Sequence, residues 1–190
     1  MVFKIVLAYF VCLTIASAQV SCMVEPYKIT VISPDGTPIS NVKVSLLDQN
    51  NQVEITYTDR NGQIDAGQNG CVRASFEYTT TDPIFDKLTT LDLILIQRHI
   101  LNLTPFQNNA LFIAADANFD GKITASDLTD FRKIILQINQ TLPSNKSFHF
   151  AIKESIITSP THFNETNVLL LPFIKNDEVV VYYISMGNVN

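Results

Sequence analysis

From Tyr27 to Tyr78 apolar residues fall at alternate positions in short runs. Ile29 and Val31 lie on one side of Tyr27–Ser33, with Lys28, Thr30 and Ile32 on the other. Val42, Val44 and Leu46 repeat the pattern in Asn41–Asp48, and Val72, Ala74, Phe76 and Tyr78 repeat it in Cys71–Tyr78. A period of two places alternate side chains on one face of a strand, so these runs, broken by turn chemistry at Pro34-Asp35-Gly36-Thr37-Pro38 and Thr58-Asp59-Arg60-Asn61-Gly62, predict about four short strands. Between Leu88 and Ile138 the spacing changes to three and four. Leu93, Ile96, Ile100 and Leu103 form one stripe, and Leu128, Phe131, Ile135 and Ile138 form a second. Each suits one face of an α-helix. After Leu142-Pro143-Ser144-Asn145 the pattern reads as strands again, over Ser147–Lys153, Asn167–Ile174 and Glu178–Met186, with Lys175-Asn176-Asp177 turning the last two into a hairpin. The fold class is therefore α+β: a small antiparallel β-sandwich, a two-helix repeat and C-terminal strands. Either the helical repeat is inserted between two β-rich halves, or separate domains join at about Thr80.

The two helical stripes are copies. Leu88–Leu101 lies over Ile123–Leu136 at a constant offset of 35 residues, aligning Asp92 with Asp127. The second copy follows Asp116-Ala117-Asn118-Phe119-Asp120-Gly121-Lys122-Ile123-Thr124-Ala125-Ser126-Asp127, whose alternating oxygen donors match a twelve-residue calcium loop. Ca²⁺ takes about six to eight oxygens, supplied by such a loop from alternate positions and from its twelfth. Asp116, Asn118 and Asp120 would give side-chain oxygens and Lys122 its carbonyl; Thr124 would hold a water, and Asp127 would close the site. Gly121 stands where the chain turns most sharply. Asp127 replaces the commoner glutamate, which asks the next helix to start closer to the ion. In the first copy the matching positions fall on Thr81, Pro83 and Phe85, none a carboxylate, so one calcium is expected. Leu88 there would pair with Ile123 where the two loops meet, and Asp92 would serve the helix start.

The N-terminus changes the expected compartment. Lys4 precedes an apolar run from Ile5 to Ala16, too short to span a bilayer comfortably, and Ala16-Ser17-Ala18 fits a small-x-small cleavage site. Residues 1–18 thus read as a signal peptide, and the mature chain as secreted or at the cell surface, without a membrane span; a retained anchor is the alternative. Cleavage removes Cys12 and leaves Cys22 and Cys71, a pair expected to form a disulfide in an exported protein. Lipid modification of Cys22 is the weaker reading, because Gln19-Val20-Ser21 is a poor processing context. Losing Lys4 takes the net charge from −5 to −6. The remaining basic residues are scattered, so no nucleic-acid footprint is expected.

Catalytic chemistry is hard to find. His99, His149 and His162 have no metal-ligand spacing, and His99 is expected on the polar face of its helix. There is no Gly-x-Ser-x-Gly elbow, no phosphate-cradling glycine loop and no acidic pair in an acid/base pattern. The Asn-x-Ser/Thr triplets at Asn102, Asn139, Asn145 and Asn164 are what a chain rich in these residues produces by composition. The expectation is a protein that is not an enzyme.

A duplicated loop and helix about 35 residues apart resembles the type I dockerin domain, from about Asp82 to Ile138. Thr90–Leu101 and Ala114-Ala115-Asp116-Ala117-Asn118 resemble the variant found in large secreted proteins of Bacteroidetes-type bacteria. There a stretch similar to Ser147-Phe148-His149-Phe150 follows the second helix, and a closing strand similar to Val179–Asn190 comes later. Pro34–Val42 together with Thr58–Gly62 looks like the prealbumin-like modules typified by the carboxypeptidase regulatory domain. These resemblances imply a β-sandwich module over 19–79, a dockerin-like calcium-binding repeat over 80–142, and C-terminal strands over 143–190 packing on both. They also imply attachment to a protein partner of cohesin type, since dockerins pair with cohesins, through Thr90, Leu91, Arg98, Ala125, Ser126 and Lys133. Since Thr90-Leu91 and Ala125-Ser126 differ, the two copies are not equivalent faces. The alternatives are a calcium-stiffened structural or adhesive part of a surface protein and, more remotely, an accessory module of a polysaccharide-degrading system.

Overall fold

The computed structural model describes residues 27–48, 50–66, 71–78, 88–153, 168–170 and 178–190. The signal-peptide reading and Cys22 lie outside these residues. Five strands come first: β1 (Tyr27–Ile32), β2 (Lys43–Asp48), β3 (Val53–Tyr57), β4 (Gln63–Ala66) and β5 (Cys71–Glu77). Three helices follow, α1 (Thr90–Ile100), α2 (Asn109–Ala115) and α3 (Ala125–Ile135), and then β6 (Phe148–Ile152), β7 (Val168–Leu170) and β8 (Glu178–Ser185). The α+β class is as expected from the sequence; β3 alternates Val53, Ile55 and Tyr57 with Glu54 and Thr56, whereas β4 and α2 are too short to carry a clean stripe of their own.

The strands form two four-stranded sheets, in the orders β4-β1-β8-β6 and β3-β2-β5-β7. Strands from after the helices therefore complete both sheets. The hairpin expected at Lys175-Asn176-Asp177 does not form a pair: β7 runs antiparallel to β5, while β8 lies in the other sheet between β1 and β6. The β1–β8 pairing is parallel, with Ile29 opposite Val179 and Val31 opposite Val181. A parallel pair needs a long connection, and here the whole helical segment lies within it.

Alternation then decides the layers. Ile29, Val31, Val179, Val181, Tyr183 and Phe150 from one sheet meet Val42, Val44, Leu46, Ala74 and Phe76 from the other, all buried. Each such side chain contributes about 1.5–3 kcal/mol by leaving water. Ala151 and Ile184 point the other way and join a second core with Leu88, Ile96, Ile113, Leu128, Phe131, Ile134, Met186 and Val189. One sheet is thus buried on both faces, with the second sheet on one side and the helices on the other. β8 serves both cores, which ties the helical repeat to the sandwich.

The duplication survives in detail. Thr89 and Thr124 cap α1 and α3 in matching capping boxes with Asp92 and Asp127. Both helices end the same way, with Asn102 at φ 56° and Gln137 at φ 55°. These left-handed residues turn the chain away, so Leu103 and Ile138, expected on the buried stripes, are each 68% exposed. Of the expected stripes Ile96, Leu128 and Phe131 are buried, and Ile134 joins them. His99 is also not on a polar face: its ring stacks on Phe106 at 4.4 Å, and its Nδ1 accepts the Phe106 N–H at 3.0 Å.

Candidate metal centre

The loop between α2 and α3 is built by its own oxygens. Asp116 is nearly buried at the end of α2, where its Oδ1 accepts the Asp120 N–H at 3.1 Å and its Oδ2 accepts the Gly121 N–H at 2.7 Å. Asn118 Oδ1 also accepts from Asp120 N, at 3.0 Å, and Asp120 Oδ1 accepts from Lys122 N at 2.9 Å. These bonds coil the chain around the acidic side chains. Gly121 sits at φ 82°, the left-handed region that glycine enters without cost.

Phe119 takes φ 63°, unusual for a bulky residue. Its ring stacks on His149 at 4.5 Å and 8°, and His149 is buried on β6. That contact braces the loop against the sheet. Its only trace in the sequence was the Ser147-Phe148-His149-Phe150 stretch, which periodicity could identify as a strand but not as a support.

Asp127 is fully buried. Its Oδ2 accepts the Thr124 N–H at 2.9 Å and the Thr124 hydroxyl at 3.1 Å, while Oδ1 accepts the Ala117 N–H at 3.0 Å. It thus fastens the start of α3 to the start of the loop. Thr124 in turn accepts from Ser126 N at 3.2 Å. Among the described residues no three His, Cys, Asp or Glu side chains stand gathered as a finished metal cage. The donor set nonetheless fits a hard cation, being all oxygen with three carboxylates, Asp116, Asp120 and Asp127, among its six residues. Burial, and then the negative charges of Asp127 and Asp120, push the Asp116 carboxyl above its usual range against the pull of its backbone hydrogen bonds. A bound cation would remove that penalty.

In the first copy Asp92 takes the part that Asp127 takes in the second. Asp92, also fully buried, accepts the Thr89 N–H at 2.8 Å and the Thr89 hydroxyl at 2.6 Å through Oδ2. Its Oδ1 accepts the Val189 N–H at 2.9 Å. The C-terminal tail therefore stands where Ala117 stands in the second copy. Gly187 N–H donates to the Ala114 carbonyl at 2.7 Å, which joins the tail to α2. The positions expected to give a first loop, Thr81, Pro83 and Phe85, lie outside the described residues; Leu88 and Ile123 belong to the same core.

Of the residues expected to meet a partner, Thr90, Leu91, Arg98, Ala125 and Ser126 are exposed. Arg98 Nε donates to Thr104 Oγ1 at 3.1 Å, and Lys133 pairs with Asp130 at 3.0 Å. The pairs Thr90–Leu91 and Ala125–Ser126 open the matching helices α1 and α3, which pack against each other. Cys71 begins β5, and its side chain is outside the description. No helix among the described residues is long and apolar enough to cross a membrane.

Residues 86–140 match the family model of the dockerin type I domain, less than a third of the chain. That stretch holds α1, α2, the acidic loop and α3. No curated protein and no solved structure matches the chain.

Proposed function

We propose that the chain is an exported, non-catalytic attachment module in which one calcium ion orders the helical repeat for a cohesin-type protein partner. The observation that carries this reading is the loop 116–127 within a dockerin type I match. Dockerin domains bind calcium and attach one protein to another. Asp116, Asn118 and Asp120 would hold the ion with side-chain oxygens, Lys122 with its carbonyl, Thr124 through a water, and Asp127 at the closing position. Bound there, the ion supplies positive charge to a cluster that otherwise repels itself. The chain's own residues do the rest. Asp127 ties the loop to α3, Phe119 on His149 braces it against the sheet, and Asp92 with the tail holds α1. The partner surface is assigned to Thr90, Leu91 and Arg98 on α1 and to Ala125, Ser126 and Lys133 on α3.

A calcium-stiffened structural or adhesive role is the second reading. It is favoured by β8, which serves both cores and makes the repeat part of the body of the protein. Retention of partners from the medium of the source culture, with calcium and with chelator, separates the two. The attachment reading expects a partner that is lost with chelator, returns with calcium, and weakens when Arg98 and Lys133 are both changed to alanine. Capture that survives full calcium removal would favour the structural reading.

A further inference from the structure

We propose that β3 is a homotypic docking edge, through which two copies of the chain pair antiparallel about Ile55. β3 closes one side of its sheet and, among the described residues, pairs only with β2. Thr58, just past β3, donates its N–H to the Val42 carbonyl and accepts the Asn41 N–H, each at 3.0 Å. Its backbone therefore faces β2. Backbone direction alternates along a strand, so Thr56 and Glu54 also face β2, whereas Val53, Ile55 and Tyr57 turn their N–H and C=O groups to the open edge.

The same three residues carry the exposed apolar side chains, at 60%, 54% and 58% exposure. They share the outer face of the sheet, opposite Leu47, Ser45 and Lys43 of β2. An exposed strand edge templates pairing with another chain, and proteins usually blunt it with lysine, proline or a bulge. Val53-Glu54-Ile55-Thr56-Tyr57 contains no lysine and no proline, and the irregularity nearby falls between Leu47 and Asp48, where β2 meets β5.

The occupant follows from the order of residues within β3. A two-fold axis at Ile55 sets Val53 opposite Tyr57, Ile55 opposite Ile55, and Glu54 opposite Thr56. No like charges meet. The apolar side chains of both copies lie on one face, and an aromatic side chain meets a β-branched one, a favourable cross-strand pair. Every outward N–H and C=O of the three residues finds a partner. With only five residues per strand the contact is small, which places it among weak, concentration-dependent associations.

Sedimentation of the full exported chain reads the result, with a non-reducing gel in parallel to exclude a covalent dimer. The mass should rise from one chain towards two across the micromolar range. Ile55→Lys sets two like charges face to face and should abolish the rise. Val53→Lys with Tyr57→Lys should abolish it too, whereas Val53→Lys with Tyr57→Glu sets opposite charges together in this register and should keep it. All these positions are more than half exposed, so the fold should persist, as circular dichroism checks. Single-chain mass throughout would overturn the proposal. So would a dimer that survives Ile55→Lys, or equal loss in the two double variants.

Discussion

Replacing Gly187 by alanine probes the junction between the tail and the helical core. Gly187 has φ 79°, and a Cβ there would lie 2.6 Å from Leu88 Cδ1 and 3.0 Å from Phe131 Cε1. Two costs add. The left-handed conformation costs an L-residue about 1–2 kcal/mol. Forcing a methyl into a packed core costs about 1–3 kcal/mol more. Gly36 is an internal control, with φ 92° and nothing within 4 Å of its Cβ position. Gly36→Ala should therefore lose only the conformational term, about 1–2 kcal/mol, and Gly187→Ala a total of about 2–5 kcal/mol. Urea unfolding followed by circular dichroism measures both. Leu88 supplies the nearest atom, so Leu88→Ala should make room for the new methyl. The double variant should then be less damaged than the sum of its parts, with a coupling of about 0.5–3 kcal/mol. Equal losses at Gly187 and Gly36, or strict additivity with Leu88→Ala, would refute the close packing of tail against helices.

Asp92→Ala removes the acceptor that the Thr89 N–H uses in the capping box, about 1 kcal/mol, and strands the buried Val189 N–H at about 1–3 kcal/mol. A loss of about 2–4 kcal/mol in the same unfolding assay is expected, and a loss below about 1 kcal/mol would show that the tail is not held there. A disulfide between Cys22 and Cys71 is expected from the sequence; closing about 50 residues, it would contribute roughly 3–4 kcal/mol in the chain-entropy model. Intact mass after alkylation without reductant should show no modified thiol, and two modified thiols would refute the bond. At calcium one hundred times its dissociation constant, the folded state should gain about 2.7 kcal/mol over the chelated protein, and an unchanged melting midpoint would contradict coupling of metal to fold.

The acidic loop and the repeat were legible because both are local. Donor spacing marks a loop that folds on its own side-chain hydrogen bonds from Asp116, Asn118 and Asp120, and the offset between copies reappears in matching caps and left-handed exits at Asn102 and Gln137. The place of β8 was not legible. Its alternation identifies a strand, yet pairing with β1 depends on contacts about 150 residues away that no local pattern encodes. Helix α2 was missed because seven residues are too few to show a period. Leu103 and Ile138 continued their stripes in sequence but lie beyond the helix ends, so periodicity overran the structure. The role of Asp92 was half legible. Its equivalence to Asp127 gave the cap, and only the fold shows that the C-terminal tail supplies the N–H that loop residue Ala117 supplies in the other copy.

Calorimetric titration of the mature chain with calcium tests the account at its centre. One ion per chain is expected, with a dissociation constant within about 10⁻⁷ to 10⁻⁴ M and with binding abolished in Asp116→Ala/Asp120→Ala. A stoichiometry near two, or binding unchanged in that double variant, would contradict the assignment of a single site to the loop between α2 and α3.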